Sequence, residues 1–221
     1  TSASPSSGRA GTEVVLAGER LRGGGASVVQ AFIGGDAATI QSENDTAIVV
    51  VAAEPSVVGS PLNVTLVSSS GAVVEGTELF TGLNGGVIAD VSPSSGQLGT
   101  IVNITGTDLM GGATSVVSVT LFGTEALSIE SFSETLVTVV VNSSSNIGTG
   151  DIVITTDTGA ITLGTQEWTQ LEDGAITNVS PNFGQFGTIV TLTGTNMLAG
   201  GSSLTVVKLA GVDVHTVVSV N

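Results

Sequence analysis

Residues 91–110 read VSPSSGQLGTIVNITGTDLM, and residues 179–198 read VSPNFGQFGTIVTLTGTNML. A third copy of the same motif, SPSSGRAGTEVVLAG, occupies residues 4–18. The prolines of the three copies, Pro5, Pro93 and Pro181, follow one another at steps of 88 residues. Because a fixed period is the sequence signature of a repeat protein, the chain is predicted to be a tandem array of one module.

The period divides the chain into three repeats. They span residues 1–87, where the first strand is missing, residues 88–175, and residues 176–221, which form a partial repeat. The register is predicted to hold without a gap, since Gly35 matches Gly123 and Phe80 matches Trp168. We expect a window cut from a longer array, and a strand from a neighbouring chain is the other way to complete a truncated repeat.

The residues after each motif alternate between apolar and polar. Val102 and Ile104 are predicted to face a core, with Asn103 and Thr105 outward, because successive side chains of a strand point to opposite faces. The same choice recurs at Val14 and Leu16 and at Val190 and Leu192. The other predicted strands span 28–33, 47–51, 63–67, 116–121, 136–141, 151–155 and 212–218. Roughly seven short strands per repeat indicate an all-β fold of tandem immunoglobulin-like β-sandwich modules with an 88-residue repeat.

The run Ser-Pro-x-x-Gly-x-x-Gly-Thr is predicted to be a corner between two strands. Proline lacks a ladder donor and glycine tolerates positive φ, so together they end one strand and start the next. No helix is predicted after the glycines, which argues against a phosphate-binding loop. The pattern of residues 88–107 and 176–195 resembles the IPT/TIG family of immunoglobulin-like domains. The resemblance covers nearly the whole chain, implies tandem Ig-like sandwiches, and supplies no catalytic residue.

Composition narrows the classes of function. The net charge of −15 disfavours nucleic acid and anionic lipid surfaces as partners, and the middle repeat has no cation. The absence of cysteine excludes disulfides and thiolate metal sites. No run of eighteen apolar residues is present, so no membrane span is expected in this segment.

We predict no catalytic residue, no metal site and no cofactor. His215 is the single histidine, lies on a predicted strand, and is interpreted as solvated. Acidic residues near turns are the candidates for a minor alternative, a Ca²⁺ site between modules, although no calcium-loop motif is present. They are Glu43, Asp45, Asp151, Asp157, Glu172 and Asp173.

Two kinds of side chain point to carbohydrate. Trp168, matched with Phe80, would suit a sugar-stacking platform, but the shared position in the repeat favours core packing. Four asparagines fit the N-glycosylation pattern N-x-[ST] and are the predicted glycosylation candidates, with Asn103 predicted outward and Asn44 and Asn142 near turns. The candidates are Asn44, Asn63, Asn103 and Asn142. Asn178 also fits, but Pro181 follows its pattern and is expected to weaken it.

The leading hypothesis is a non-enzymatic structural segment of an extracellular or cell-surface stalk or fibre that carries glycans. The partners expected are neighbouring repeats, other copies of the chain and covalent glycans, since short joins at residues 83–86 and 171–174 predict stacked modules. The alternative is an adhesin or receptor ectodomain that binds carbohydrate or protein through sandwich loops. A third hypothesis, an accessory domain of a polysaccharide-degrading enzyme, needs a catalytic neighbour.

Overall fold

The computed structural model describes residues 1–218, and all of their regular secondary structure is β-strand. None of these residues belongs to a helix long and apolar enough to cross a bilayer. Each complete repeat forms its own two-layered unit with its own core. The predicted all-β fold of tandem Ig-like sandwiches is confirmed.

The first repeat is a sandwich whose two sheets share one strand. Its first strand, predicted to be missing, is present in shortened form at Ser2–Ser4 and pairs with residues 15–17. β5 pairs with β6 through its second half and with β4 through its first half, so the strand order is β1-β3-β6-β5-β4-β7-β8-β2. The strands are β1 (Ser2–Ser4), β2 (Ser7–Gly8), β3 (Glu13–Ala17), β4 (Val28–Ile33), β5 (Asp36–Glu43), β6 (Ala47–Val51), β7 (Pro61–Ser68) and β8 (Val73–Gly82). The inward residues Val14 and Leu16 are fully buried between the sheets, as predicted.

The second repeat has two separate sheets, ordered β14-β15-β11-β9 and β10-β17-β16-β12-β13. Its strands are β9 (Val87–Ser92), β10 (Ser95–Gly96), β11 (Ile101–Thr107), β12 (Val116–Leu121), β13 (Thr124–Glu125), β14 (Ser128–Phe132), β15 (Leu136–Val140), β16 (Gly148–Thr156) and β17 (Ile161–Gln170). Val102 and Ile104 are fully buried and Asn103 is exposed, which confirms the predicted alternation.

The prediction of a gapless register is wrong inside the repeat. Val14 pairs with Val50, whereas its equivalent Val102 pairs with Val139, so the partner strand is displaced by one residue. The extra residue falls where continuous β5 is replaced by β13 and β14, which are separated by Ala126 and Leu127. A shorter loop before β16 than before β7 restores the 88-residue step.

A threonine hydroxyl and two glycines determine the conformation of the repeated corner. The hydroxyls of Thr12, Thr100 and Thr188 accept the backbone N–H three residues earlier, at 3.0, 3.2 and 3.0 Å. A Cβ on Gly8 would lie 2.5 Å from the Thr12 hydroxyl oxygen, so this position has no room for a side chain. The second glycine has a positive φ, 86° at Gly11, which glycine adopts without strain. The peptide bond before the proline is cis in all three corners.

Trp168 and Phe80 occupy equivalent places in the two cores. Their exposed fractions are 0% and 1%, and the Trp168 indole N–H donates to Gln170 Oε1 at 3.1 Å. The prediction that they pack in the core is confirmed. Neither ring is accessible to a sugar.

The described part of the third repeat consists of two strand pairs, β18 with β19 and β20 with β21. These strands are β18 (Ala175–Ser180), β19 (Thr191–Thr195), β20 (Lys208–Leu209) and β21 (Val212–Asp213). Val190 and Leu192 are half-buried, unlike the buried Val102 and Ile104, because fewer strands cover them. The strand predicted over residues 212–218 ends at Asp213, so His215 is not on a strand.

Candidate functional site

The candidate functional site is the joint between the first two repeats. Its linker, residues 83–86, begins with Leu83, whose N–H donates to Gly8 O in the corner of the repeat it leaves, at 2.7 Å. Leu171 makes the same bond to Gly96 at 2.7 Å. Each linker is therefore fixed to the preceding repeat at its first residue.

Backbone groups pair directly across the first joint. The corner of the first repeat lies against the hairpin that connects β16 and β17: Glu13 N–H donates to Thr158 O at 2.8 Å, and Ile161 N–H donates to Ala10 O at 3.0 Å. Gly11 faces Gly159, and a Cβ on Gly11 would lie 2.5 Å from Gly159 O. This close backbone approach requires glycine.

Arg9 extends from the same corner into the second repeat and is fully buried. Its guanidinium donates to Asp108 O, to Leu109 O at 3.0 Å and to the Thr162 hydroxyl at 2.5 Å. The Thr162 hydroxyl in turn donates to Leu109 O at 3.0 Å. These hydrogen bonds offset the cost of removing the Arg9 charge from water, and they are available only when the two repeats are docked in this orientation.

Glycines enclose the arginine. A Cβ on Gly111 would lie 2.6 Å from Arg9 Nε, and a Cβ on Gly86 would lie 2.6 Å from Nη1. Desolvation by burial lowers the pKa of Arg9 from its ordinary value, while the negative charges of Glu134, Glu54 and Asp108 oppose this effect. The Nε atom is buried and has no hydrogen-bond partner among the described residues. We call the pocket formed around Arg9 by Gly86, Gly111 and Thr162 the socket. It encloses the arginine side chain closely but leaves its Nε donor without a hydrogen bond to any described residue.

The second joint uses the same places with different residues. Gln97 stands where Arg9 stands in the first repeat, and a Cβ on Gly174 would lie 3.1 Å from Gln97 Nε2. Asp173 Oδ1 accepts the N–H of Leu98 at 3.1 Å, so this linker also bonds to its corner. The Gln97 Oε1 atom is buried and, within residues 1–218, has no partner.

Two of the predicted glycosylation candidates lie on strands. Asn63, on β7, is exposed; its amide donates to Glu75 Oε1 at 2.9 Å and its Oδ1 accepts Glu78 N–H at 2.9 Å. Asn103, on β11, is exposed, and its Oδ1 accepts the Thr138 hydroxyl at 2.9 Å. The structure thus gives Asn63 a second role, since its oxygen satisfies a backbone N–H of β8.

The other two candidates lie at turns. Asn44 is exposed, and its Oδ1 accepts the N–H groups of Thr46 and Ala47, both at 2.8 Å. Asn142 is half-buried, and its Oδ1 accepts Ser143 N–H at 2.9 Å. In both side chains these bonds use the oxygen and leave the amide nitrogen, the atom that carries an N-linked sugar, free of a described protein partner.

The six acidic residues considered for calcium do not converge. No three metal-ligating side chains cluster within residues 1–218. Glu43 pairs with Arg22 at 2.8 Å, Asp151 accepts Gln166 N–H at 2.9 Å, and Asp157 binds Thr114. Asp45, Glu172 and Asp173 likewise accept hydrogen bonds from separate partners, the N–H of Arg22, the amide of Asn196 and the N–H of Leu98. The ring of His215 lies 6.2 Å from that of Phe186, and its side chain is exposed.

From the sequence alone, no role is predicted for Arg9. A usable signal was present, because this position carries glutamine in the other two corners. The partners of Arg9 are 99 to 153 residues away, so their identity depends on the folded joint.

Two β-sandwiches in series, joined by a directly bonded corner and hairpin, define a tandem immunoglobulin-like protein. The model of the IPT/TIG domain family matches residues 1–81 and 87–168, and the chain belongs to this family. No curated protein sequence matches the chain.

Three solved structures are among those that match the chain. The full extracellular region of plexin A4 is 21% identical over 82% of this chain and 16% of its own, with a TM-score of 0.48. A surface glycan-binding protein of Prevotella bryantii is 18% identical over 72% of this chain and 37% of its own, at 0.32. The Bacteroides ovatus SGBP-B, solved with a mixed-linkage heptasaccharide, is 15% identical over 79% and 44%, at 0.32. The chain therefore spans less than half of each of these structures.

Proposed function

We propose that the chain is a non-enzymatic structural segment of an extracellular or cell-surface stalk or fibre. Its function is to hold successive IPT/TIG repeats in a fixed relative orientation, with neighbouring repeats as its first partners and other copies of the chain as lateral ones. The observation that carries this proposal is the first joint, where Glu13 and Ile161 donate backbone hydrogen bonds between repeats and Arg9 is buried.

A directly bonded joint supports a stiff array for a physical reason. Bending at the joint would break two backbone hydrogen bonds and separate the Arg9 guanidinium from its acceptors, and this is costly wherever the separated groups stay shielded from water. Both linkers are also short and bonded at their first residue. In such a chain each repeat is oriented by its neighbour, as in other quasi-one-dimensional repeat proteins.

We further propose that the array carries N-linked glycans at some of Asn44, Asn63, Asn103 and Asn142. The exposure of Asn44, Asn63 and Asn103 supports this, because a bulky sugar needs an open surface. Sugars and the net charge of −15 would both limit pairing between exposed strand edges of adjacent chains.

Electron microscopy of the native full-length protein tests the structural role. Long, uniform fibres with a repeat on the scale of one module are the expected result. Short rods or isolated beads on cells would contradict the fibre proposal and favour the adhesin or receptor hypothesis.

The same native material tests glycosylation. Intact mass and peptide mapping are expected to show added hexose-containing mass on peptides that contain one or more of the four asparagines. A mass equal to the bare polypeptide would overturn the glycan proposal and leave the structural role standing.

A further inference from the structure

Two positions of the first joint differ together in the second joint. Arg9 is replaced by the shorter Gln97, and Gly111, which touches Arg9, is replaced by Ala199. The backbone conformation at this place is nearly the same, with φ of 60° at Gly111 and 52° at Ala199. The methyl group of Ala199 thus occurs together with the shorter side chain of Gln97. Gln97 and Ala199 line the same crevice.

We propose that the residue at position 9 and the socket around Gly111 and Thr162 in the next repeat are matched in size and polarity. This match determines which repeat docks onto which. A socket with glycine and a hydroxyl accepts a corner that carries arginine, and a socket with alanine accepts a corner that carries glutamine. This inference concerns the joint alone and does not depend on whether the array is a stalk or an adhesin.

The argument rests on both size and polarity. The hypothetical Cβ at Gly111 lies 2.6 Å from Arg9 Nε and 2.7 Å from its Cζ, well inside van der Waals contact, so an alanine here would push the guanidinium away from its acceptors. Thr162 is 1% exposed. Its hydroxyl accepts a hydrogen bond from Arg9 and donates one to Leu109 O. A hydrophobic residue at 162 would leave the guanidinium with one acceptor fewer in a dry site, which penalises a mismatched pair.

The first repeat shows a third version of the socket. Its equivalents of Gly111 and Thr162 are Gly23 and Val74. Because valine offers no hydroxyl, this face lacks one of the three acceptors that Arg9 uses. The partner that fits it is a repeat whose corner carries a neutral residue, so a corner with arginine would be discriminated against.

A double-mutant cycle in the full chain tests whether residues 9 and 111 are energetically coupled. The readout is amide hydrogen exchange at Glu13 and Ile161, whose N–H groups bond across the joint. Gly111→Ala should increase exchange at both amides by about tenfold or more when residue 9 is arginine. In the Arg9→Gln background the same substitution should change exchange by less than about threefold, since the shorter side chain removes the clash.

Gly112→Ala is the matched control. Gly112 also has a positive φ, 79°, but a Cβ there would approach Leu83 at 3.1 Å and not Arg9. Its effect should be the same with either residue at position 9. Equal effects of Gly111→Ala in the two backgrounds would overturn the proposal. So would a rise in exchange at β11 core amides as large as that at the joint, because the methyl would then disturb the second repeat itself.

Discussion

Asp157 fixes the hairpin against which the first repeat docks. Its carboxylate accepts the backbone N–H of Thr114 at 3.2 Å and the Thr114 hydroxyl at 2.5 Å. Ser69, the equivalent residue of the first repeat, accepts the N–H groups of Ala26 and Ser27 at 3.1 and 3.3 Å. The hydrogen bond from the Thr114 hydroxyl is the largest cause that lowers the pKa of Asp157 below its ordinary value.

We expect Asp157→Asn to be less stable than the parent chain at neutral pH, with the difference shrinking in acid. A carboxyl whose pKa is lower in the folded state stabilises it fully above the unfolded pKa, about 3.9, and loses that contribution as pH falls through the folded pKa. Urea unfolding at pH 7 and near pH 3, followed by Trp168 fluorescence, measures this. Trp168 is the single tryptophan and reports on the second repeat.

Glu167→Gln is the control, because this exposed carboxylate accepts no hydrogen bond from the described side chains or backbone. A stability difference for Asp157→Asn that is the same at both pH values would show that its ionised form does not stabilise the hairpin.

Residue-level features were predictable wherever they recur in all copies. The corner threonines and glycines and the shared core position of Trp168 and Phe80 follow from the period and from strand alternation. Arg9 could not be assigned in this way because it occurs in one corner, and its carbonyl acceptors carry no side-chain signature in the sequence.

At the scale of strands, the two complete repeats fill the same space in the sandwich with a large side chain from different positions. In the second repeat Phe122, with φ of 49°, lies over Gly150, where a Cβ would come within 1.8 Å of the Phe122 ring. In the first repeat the equivalents are exchanged: Gly34 is small and Leu62 is large, with Leu62 Cδ1 2.9 Å from the Cβ position of Gly34. One large side chain fits between these strands, from either side.

Gly150→Leu should therefore destabilise the second repeat by about 1–3 kcal/mol or more, because two large side chains would compete for one space. The double substitution Phe122→Gly with Gly150→Leu should recover most of that loss, since it recreates the arrangement of the first repeat. Urea unfolding monitored by Trp168 fluorescence compares Gly150→Leu, Phe122→Gly and the double variant with the parent chain. If the double variant lost as much unfolding free energy as the two single variants together, the two positions would not share one space.

Strand positions were largely predictable, whereas their pairing was not. Val116–Leu121 and Val28–Ile33 match the predicted bounds, because alternation and β-branched residues define them. The one-residue displacement of β15 relative to β6 escaped prediction because Leu127 and the shorter later loop cancel over a full repeat. A constant period shows that insertions and deletions balance, and it does not show that none occurred.

At the scale of the whole molecule, the two complete repeats have separate hydrophobic cores and a polar joint. Their relative orientation depends on few contacts: the corner-to-hairpin backbone bonds, the buried Arg9 and the linker. The short linker was predictable from the sequence, and so was stacking of repeats. The contacts that set the angle between repeats required the structure, since they join residues of different repeats.

The most direct test of the account is the relative orientation of the two complete repeats in solution. Residual dipolar couplings of backbone amides in residues 1–82 and 87–170 of the full chain should fit one common alignment tensor, with the repeats oriented as in the structure. Two tensors of different magnitude would mean that the repeats reorient independently, and would contradict a joint held by Arg9 and the backbone bonds of Glu13 and Ile161.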